Sequence, residues 1–419
     1  PDSGEGVGAM TVPADENGRP MTRTICAWAC AAILLVGLAS CGQREARVNP
    51  HTEAGILDYG NGVEPQELDP HLTTGFNEHK IESALFEGLV QLDPKSLEPI
   101  PATAESWTVS EDGKVYTFRI RENAKWSDGS PVTAHDFVYS FQRILSPGLA
   151  SEYAYMLFCI ENAQAFNEGK ITDASQVGVK ALDDRTLQVT LRNPTPWFLS
   201  MQVHNSYLPV QKAAVERKGR MDERGTGWTR PGNFVGNGPF KLVTWRPNEI
   251  IETVRNEHYW DAAKVRLNGI NFHPIESSLT EERSFRSGTL HATSTVPLNK
   301  IRVYQRDNPE LIRIDPFFGT YFYRLNVTRK PFDDPRVRRA LAMAIDRESI
   351  VRNVTKGGED PAYFMTPPNT AGYTCRTLIT EDVAEARRLL AEAGYPDGRG
   401  WPGGEILFNT LEAHRSIAE

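Results

Sequence analysis

The chain has 419 residues, 40% of them hydrophobic and 24% charged. Those values exclude collagen-like, disordered and membrane-embedded classes, and the length points to two or three lobes rather than one small core. A net charge of −8 offers no basic field for nucleic acid, and five cysteines are too few for a disulfide-stapled mini-fold.

Residues 1–20 are polar and aperiodic, and the expected true start is Met21. Met21-Thr22-Arg23-Thr24 is positively charged, and Ile25 to Ser40 carries no charge. That run is shorter than the ~20 residues a spanning helix needs. A basic segment followed by a short apolar one is an export signal. It ends Leu38-Ala39-Ser40-Cys41-Gly42, which resembles the bacterial lipobox. On that reading Cys41 takes a diacylglycerol, becomes the new N-terminus and anchors the chain to a membrane through several acyl chains. The blander alternative is an ordinary signal with an incidental cysteine. Residues 41–53 are then a lipidated, polar tether. Cys26 and Cys30 leave with the signal; Cys159 and Cys375 either pair or remain two thiols, and we expect the latter.

Ile56 to Tyr59 reads as a first strand, followed by a loop fixed by Pro65 and Pro70. Glu78 to Leu89 carries a helical apolar face in Ile81, Ala84, Leu85 and Leu89. Val115 to Arg121 alternates, with Tyr116, Phe118 and Ile120 on one side, as a half-buried strand does. Thr133 to Asp136 has the form of a capping box, and Phe137, Phe141, Ile144 and Leu145 give the following helix its core face. Val177–Leu182 and Thr186–Leu191 flank Asp183-Asp184-Arg185 as a hairpin. Phe240–Thr244, Ile250–Val254, Gly269–His273, Ile312–Ile314 and Thr320–Asn326 are further predicted strands. Leu279–Phe285, a segment opened by Asp334-Pro335, and Asp382–Ala393 are predicted helices. Thr410 to Glu419 reads as a helix opening, so the expectation is a translated fragment whose C-terminal portion is missing. The mixture is α/β, of the mixed α+β kind.

The sequence holds no Gly-x-Ser-x-Gly elbow, no His-Glu-x-x-His pair and no phosphate loop. Gly236-Asn237-Gly238 is followed by Pro239, whose missing N–H spoils a phosphate cradle. The nine histidines are scattered. His204, His273 and His291 are the set that could converge on a metal, though a lone histidine is more often structural. No cofactor is expected, and binding is favoured over catalysis.

Several short motifs, weak singly, are specific in their order. They run Gly62-Val63-Glu64-Pro65-Gln66-Glu67-Leu68-Asp69-Pro70-His71; Leu85-Phe86-Glu87-Gly88-Leu89; Ala104-Glu105-Ser106-Trp107; and Tyr116 to Arg121 leading to Lys125-Trp126-Ser127-Asp128-Gly129. Asn237-Gly238-Pro239-Phe240, Tyr259-Trp260, Tyr321-Phe322-Tyr323, Pro331-Phe332-Asp333-Asp334 and Ala344-Ile345-Asp346-Arg347 follow. From about Leu57 onward the chain resembles the extracytoplasmic solute-binding proteins of bacterial peptide ABC importers, in their oligopeptide-binding branch.

The resemblance implies a type II periplasmic-binding-protein-like bilobed clamp with an additional inserted domain. Domain I would comprise 54–76 and 205–318, domain II 77–204, and an incomplete domain III 319–419. It implies an extended peptide ligand held by main-chain hydrogen bonds, with side chains in roomy, hydrated pockets. The partners are the ABC permease and ATPase, the chain is a monomer, and the location is the periplasm or cell surface. By similarity the ligand-binding residues are Glu64 from domain I, Tyr153 from domain II, Ser294, and Tyr321, Phe322 and Tyr323 on a crossing strand. Glu64 could instead cap a loop, and at least one of the three aromatics could be core. This chain departs from relatives at Gly319, where some have a cysteine, at Gly288-Thr289-Leu290-His291, which loses two carboxylates, and at Arg324. The acidic residue expected to grip a peptide ammonium would lie beyond Glu419. Competing readings are a receptor for dipeptide, cell-wall peptide, sugar, nickel or another solute, an exported hydrolase, and a truncated, non-functional product.

Overall fold

A computed structural model describes residues 49–370, 372–373, 375–376 and 378–419. The expected export signal and the expected lipidation site Cys41 lie outside the described residues. The elements used below are, in chain order, β1 (Ile56–Gly60), α1 (Phe76–Leu85), β2 (Val90–Leu92), β3 (Pro99–Pro101), β4 (Ala104–Val109), β5 (Val115–Ile120), α2 (Ala134–Leu145), β6 (Val179–Asp183), β7 (Thr186–Thr190), β8 (Phe240–Arg246), β9 (Ile250–Arg255), β10 (Gly269–His273), α3 (Ser278–Arg286), α4 (Pro335–Met343) and α5 (Val383–Glu392).

Two four-stranded sheets organise them. One has the order β1-β10-β9-β8, with β1 parallel to β10 and the other neighbours antiparallel. The other is antiparallel in the order β4-β5-β7-β6, and β2 and β3 form a separate ribbon. The period-two pattern of β5 buries Tyr116, Phe118 and Ile120 on one side. Against them pack Phe137, Phe141 and Ile144 of α2 and Leu187 and Val189 of β7. Helix α2 starts at the capping box expected from sequence: the Asp136 carboxylate accepts from the Thr133 N–H at 2.8 Å. A second core gathers Leu68, Ile81, Leu85, Trp245, Ile251 and Phe272 around the first sheet. A small third core joins Ala340 and Met343 of α4 to Ala386 and Leu389 of α5.

Helix α2 serves two cores at once. Its Phe137 and Phe141 enter the first, while Tyr139 enters the second. Between them Arg143 is fully buried and forms a two-pronged ion pair with Asp69, at 2.9 and 2.6 Å. Asp69 also accepts from the Trp228 indole N–H at 3.1 Å and from the His71 backbone N–H at 3.1 Å. Burial alone would raise the Asp69 pKa, but the adjacent guanidinium and these hydrogen bonds hold it below the ordinary value. Arg143 also donates to His71 Nδ1, which leaves His71 Nε2 to donate to the Leu208 carbonyl at 3.0 Å.

Helix α1 stops at Leu85, four residues earlier than the apolar pattern suggests. From Phe86 the backbone is extended, because Asn237 captures it. The Asn237 amide accepts from the Glu87 N–H at 2.9 Å and donates to the Glu87 carbonyl at 2.8 Å, acting as a strand neighbour would. That approach needs glycine on both sides. A β-carbon on Gly236 would lie 2.1 Å from the Leu85 carbonyl oxygen, and one on Gly238 would lie 2.5 Å from the Phe86 nitrogen. Gly236-Asn237-Gly238 is therefore a packing device.

The segments 312–314 and 320–326, predicted as strands, are irregular here. Their alternation is genuine, but no neighbouring strand pairs with them among the described residues, and an unpaired strand has nothing to hold its extension. Residues 49–53, expected to be tether, are fastened to the first sheet instead. Asn49 donates to Asp58 at 2.8 Å and to the Thr289 carbonyl at 2.7 Å.

The Arg143 arrangement yields a stability test. Arg143→Met leaves the Asp69 carboxylate buried without its counter-charge, so urea unfolding at pH 7 should show a loss of about 3–5 kcal/mol. A loss below ~1 kcal/mol would mean that the pair does not join the two cores.

Candidate functional site

The candidate site is built around α1 and the loop before it. Gly60 ends β1, Asn61 and Gly62 follow it, and Gly60 lets the buried Glu281 side chain lie close: a β-carbon there would sit 2.1 Å from Glu281 Oε1, which would have to shift. Glu281, on α3, is buried, and burial raises its pKa against opposing backbone hydrogen bonds from Ser294 and Thr295. Ser294 accepts from the Lys80 ammonium at 2.6 Å. The same ammonium lies over the rings of Tyr59, at 5.4 Å, and Phe76, at 5.1 Å. Burial lowers the Lys80 pKa, with Glu281 opposing.

One residue earlier on α1, His79 contacts the Asn205 side chain, which in turn donates to Glu82. Glu82 is fully buried and also accepts from the Thr73 hydroxyl at 2.7 Å. Burial, reinforced by the nearby Asp69 and Glu78 charges, pushes its pKa up to about 8 despite these hydrogen bonds. His204 follows at the next step. Its ring stands edge-on to Tyr153 at 4.8 Å, and its pKa is lowered by burial and by His79. Tyr153 also packs on Tyr155.

Helix α1 thus reaches Ser294 through Lys80 and leads toward Tyr153 through His79, Asn205 and His204. The other expected site residues make contacts of their own. Glu64 accepts from the Trp245 indole N–H at 2.7 Å and from the Asn248 backbone N–H at 3.0 Å, so its carboxylate holds the β8–β9 turn. Tyr321 and Tyr323 pack edge to face at 5.8 Å, and Tyr321 also meets His414 at 4.9 Å. Phe322 lies under the Arg324 guanidinium at 5.9 Å. All three aromatics are exposed.

Of the histidines considered for a metal, His273 and His291 do meet, but on a carboxylate and with His51 in place of His204. Asp58 accepts from Asn271 at 3.0 Å and pairs with His273 at 2.9 Å and His51 at 2.8 Å. The Asp58 backbone N–H donates to His291 Nδ1 at 2.9 Å. Burial works against ionisation of Asp58, yet these hydrogen bonds bring its pKa below the ordinary value. Among the described residues, no group of three or more His, Cys, Asp or Glu side chains is placed to hold a metal ion.

Sequence reasoning missed Lys80, His79 and Glu82. Their signal was present: three ionisable groups on the helix that also supplies Ile81 and Leu85 to a core.

One mixed sheet, one antiparallel sheet, separate cores and a polar crossing between them fit the bilobed periplasmic-binding-protein class. Comparison makes the class specific. The chain belongs to the bacterial extracellular solute-binding proteins, family 5, whose middle-region model matches residues 98–416. It is 42% identical over 367 residues to the periplasmic oligopeptide-binding protein OppA of Salmonella typhimurium, covering 85% of this chain and 66% of that protein. It therefore spans about two thirds of that relative's length. Among solved structures, Haemophilus influenzae OppA in complex with RPPGFSPFR matches with a TM-score of 0.79 and 36% identity, over 87% of this chain and 71% of that one. The Escherichia coli murein tripeptide binding protein MppA matches with a TM-score of 0.78 and 39% identity, over the same shares. The fold is accordingly the type II periplasmic-binding-protein clamp expected from sequence.

Two buried groups beside α1 set opposite pH slopes. Glu82, raised from its ordinary 4.5 to about 8, binds a proton in the folded state that the unfolded chain releases. Stability is therefore lost as pH rises through that window, at about 1.4 kcal/mol per unit. His71, lowered from 6.5 to about 4 by burial and Arg143, costs stability as pH falls through its own window. Urea unfolding between pH 4 and 9 should show greatest stability near pH 4.5–6.5. Glu82→Gln should flatten the profile above pH 6.5 and, by uncovering the His71 slope, turn the pH 4.5–6.5 plateau into a rise with pH; an unaltered alkaline slope would remove Glu82 from this role.

Proposed function

We propose that the protein captures oligopeptides outside the cytoplasmic membrane and delivers them to the permease and ATPase of an ABC importer. The observation that carries this reading is the 42% identity to an oligopeptide-binding protein over most of this chain. The structural match to a relative in complex with a nine-residue peptide supports it. Capture would proceed by closure of domain II (77–204) on domain I (54–76 and 205–318), with 319–419 belonging to a third domain. Main-chain hydrogen bonding along an extended ligand would make recognition tolerant of side-chain identity.

In this reading Tyr153 and Ser294 face the ligand from either side of α1, and Tyr321, Phe322 and Tyr323 offer an exposed aromatic face to it. Glu64 would act by fixing the β8–β9 turn, since both its oxygens are already engaged. Cys41 would carry the lipid that keeps a monomeric receptor near its permease.

Thermal unfolding of the full chain with di- to penta-peptides tests the reading, with glucose and nickel as controls. A ligand that binds only the folded state raises the midpoint by mass action, by about 2.7 kcal/mol of stability at 100 times Kd. Tri- to penta-peptides of unrelated sequence should each raise it. A shift with nickel or glucose but with no peptide would overturn the assignment.

A further inference from the structure

We propose that Lys80 is a subsite for a carboxylate of the bound ligand, and so biases this receptor toward peptides that place an acidic group beside α1. The inference rests on the peptide-binding reading and adds the chemistry of one position within it.

The case begins with donors. A lysine ammonium has three N–H groups. Here one is given to the Ser294 hydroxyl at 2.6 Å. The rings of Tyr59 and Phe76 flank the cation without accepting a conventional hydrogen bond. Among the described residues, no carboxylate lies within ion-pair distance of Lys80. Glu281 acts on it only at longer range, from a buried position against Gly60. The cation is thus half-buried, partly stripped of water and short of a counter-charge. Its surroundings hold it in place: α1 fixes the backbone, and the two rings and Ser294 hold the ammonium. That is a preorganised cation, which pays little ordering entropy when an anion arrives.

Position matters as much as charge. Ser294 is a ligand-facing residue in the proposed function, so the ammonium adjoins the path of the ligand. Phe76, one turn before Lys80, is 65% exposed and leaves the approach open. His79 and His204 add no negative charge to repel an incoming carboxylate, and Glu281, which acts on Lys80, is buried against Gly60. Such a carboxylate has two sources in a peptide: an aspartate or glutamate side chain, or the C-terminus. Either would replace lost hydration with a charge-assisted hydrogen bond.

Calorimetric titration of the full chain separates the sources. The ligands are tetra-alanine, its C-terminal amide, and the tetra-alanine peptides carrying Glu or Gln at each position in turn. Wild-type protein should prefer Glu over Gln at one position, or the free over the amidated C-terminus, by about tenfold. That ratio should shrink at 1 M salt, where screening is short-ranged. It should fall toward one in Lys80→Gln, which keeps a donor for Ser294, and persist in Lys80→Arg. A Glu-to-Gln ratio that collapses identifies a side-chain carboxylate, and a free-to-amide ratio that collapses identifies the C-terminus. Ratios unchanged in Lys80→Gln, or salt-independent in wild-type protein, would overturn the inference while leaving peptide binding intact. Binding of none of the peptides would overturn both it and the function on which it rests.

Discussion

The buried pair of Asp69 and Arg143 is the constraint on which the site depends. Removing two such charges from water costs several kcal/mol each, so the pair survives only because its geometry is nearly complete. Asp69 receives both guanidinium prongs, an indole N–H and a backbone N–H. Each donor comes from a different part of the chain: α2, residue 228 and the loop itself. The pair therefore decides where the 64–71 loop lies relative to both cores. It also forces His71 into one tautomer, because Arg143 donates to Nδ1 and leaves Nε2 to reach Leu208. Helix α1 leaves this loop at Phe76, so its placement follows from a charge pair several residues upstream.

Placement of α1 creates a second problem, since its inner face buries Glu82 beside the Asp69 and Glu78 charges. Two nearby ionised carboxylates at low dielectric repel strongly, and burial beside those charges favours the protonated form of Glu82. Asn205 and Thr73 hydrogen-bond to the group. Asn205 also meets His79. The polar groups around α1 are thus mutually dependent. A change at one should be felt at its neighbours, as happens in satisfied buried networks.

Much of this was legible in the sequence, and the reasons are local. The capping box of α2, the hairpin of β6 and β7, and the Asp334-Pro335 start of α4 rest on contacts within a few residues, and the alternation in β5 is a pattern carried by its own residues even though its partner β7 is distant. The early end of α1 was not legible, because it is imposed by Asn237, 150 positions away. The strands predicted over 312–326 failed for the same kind of reason, since extension needs a partner that no local pattern supplies. At the site, Ser294 and Tyr153 could be carried over from a resemblance, but Lys80 could not. Its importance lies in what surrounds it in space, two rings and a hydroxyl drawn from β1, α1 and the 287–295 loop.

Under the proposed function, a receptor that holds ligands by their backbone would face a trade-off between breadth and discrimination. Main-chain hydrogen bonds are common to all peptides and supply no preference among them. A fixed cation beside that path adds a preference without a requirement. Its attraction is worth one charge-assisted hydrogen bond, about a tenfold change in affinity, and is absent rather than repulsive for a neutral side chain. Exclusion would need a clash or a stranded buried charge, and Lys80 creates neither. Its ammonium is only half-buried and already holds Ser294, so it stays acceptably solvated when no anion arrives. On the proposed reading, the partial satisfaction of this cation would let bias and tolerance coexist at one site. Complete pairing with Glu281 would have removed the bias. Complete burial would have excluded every ligand without a negative charge.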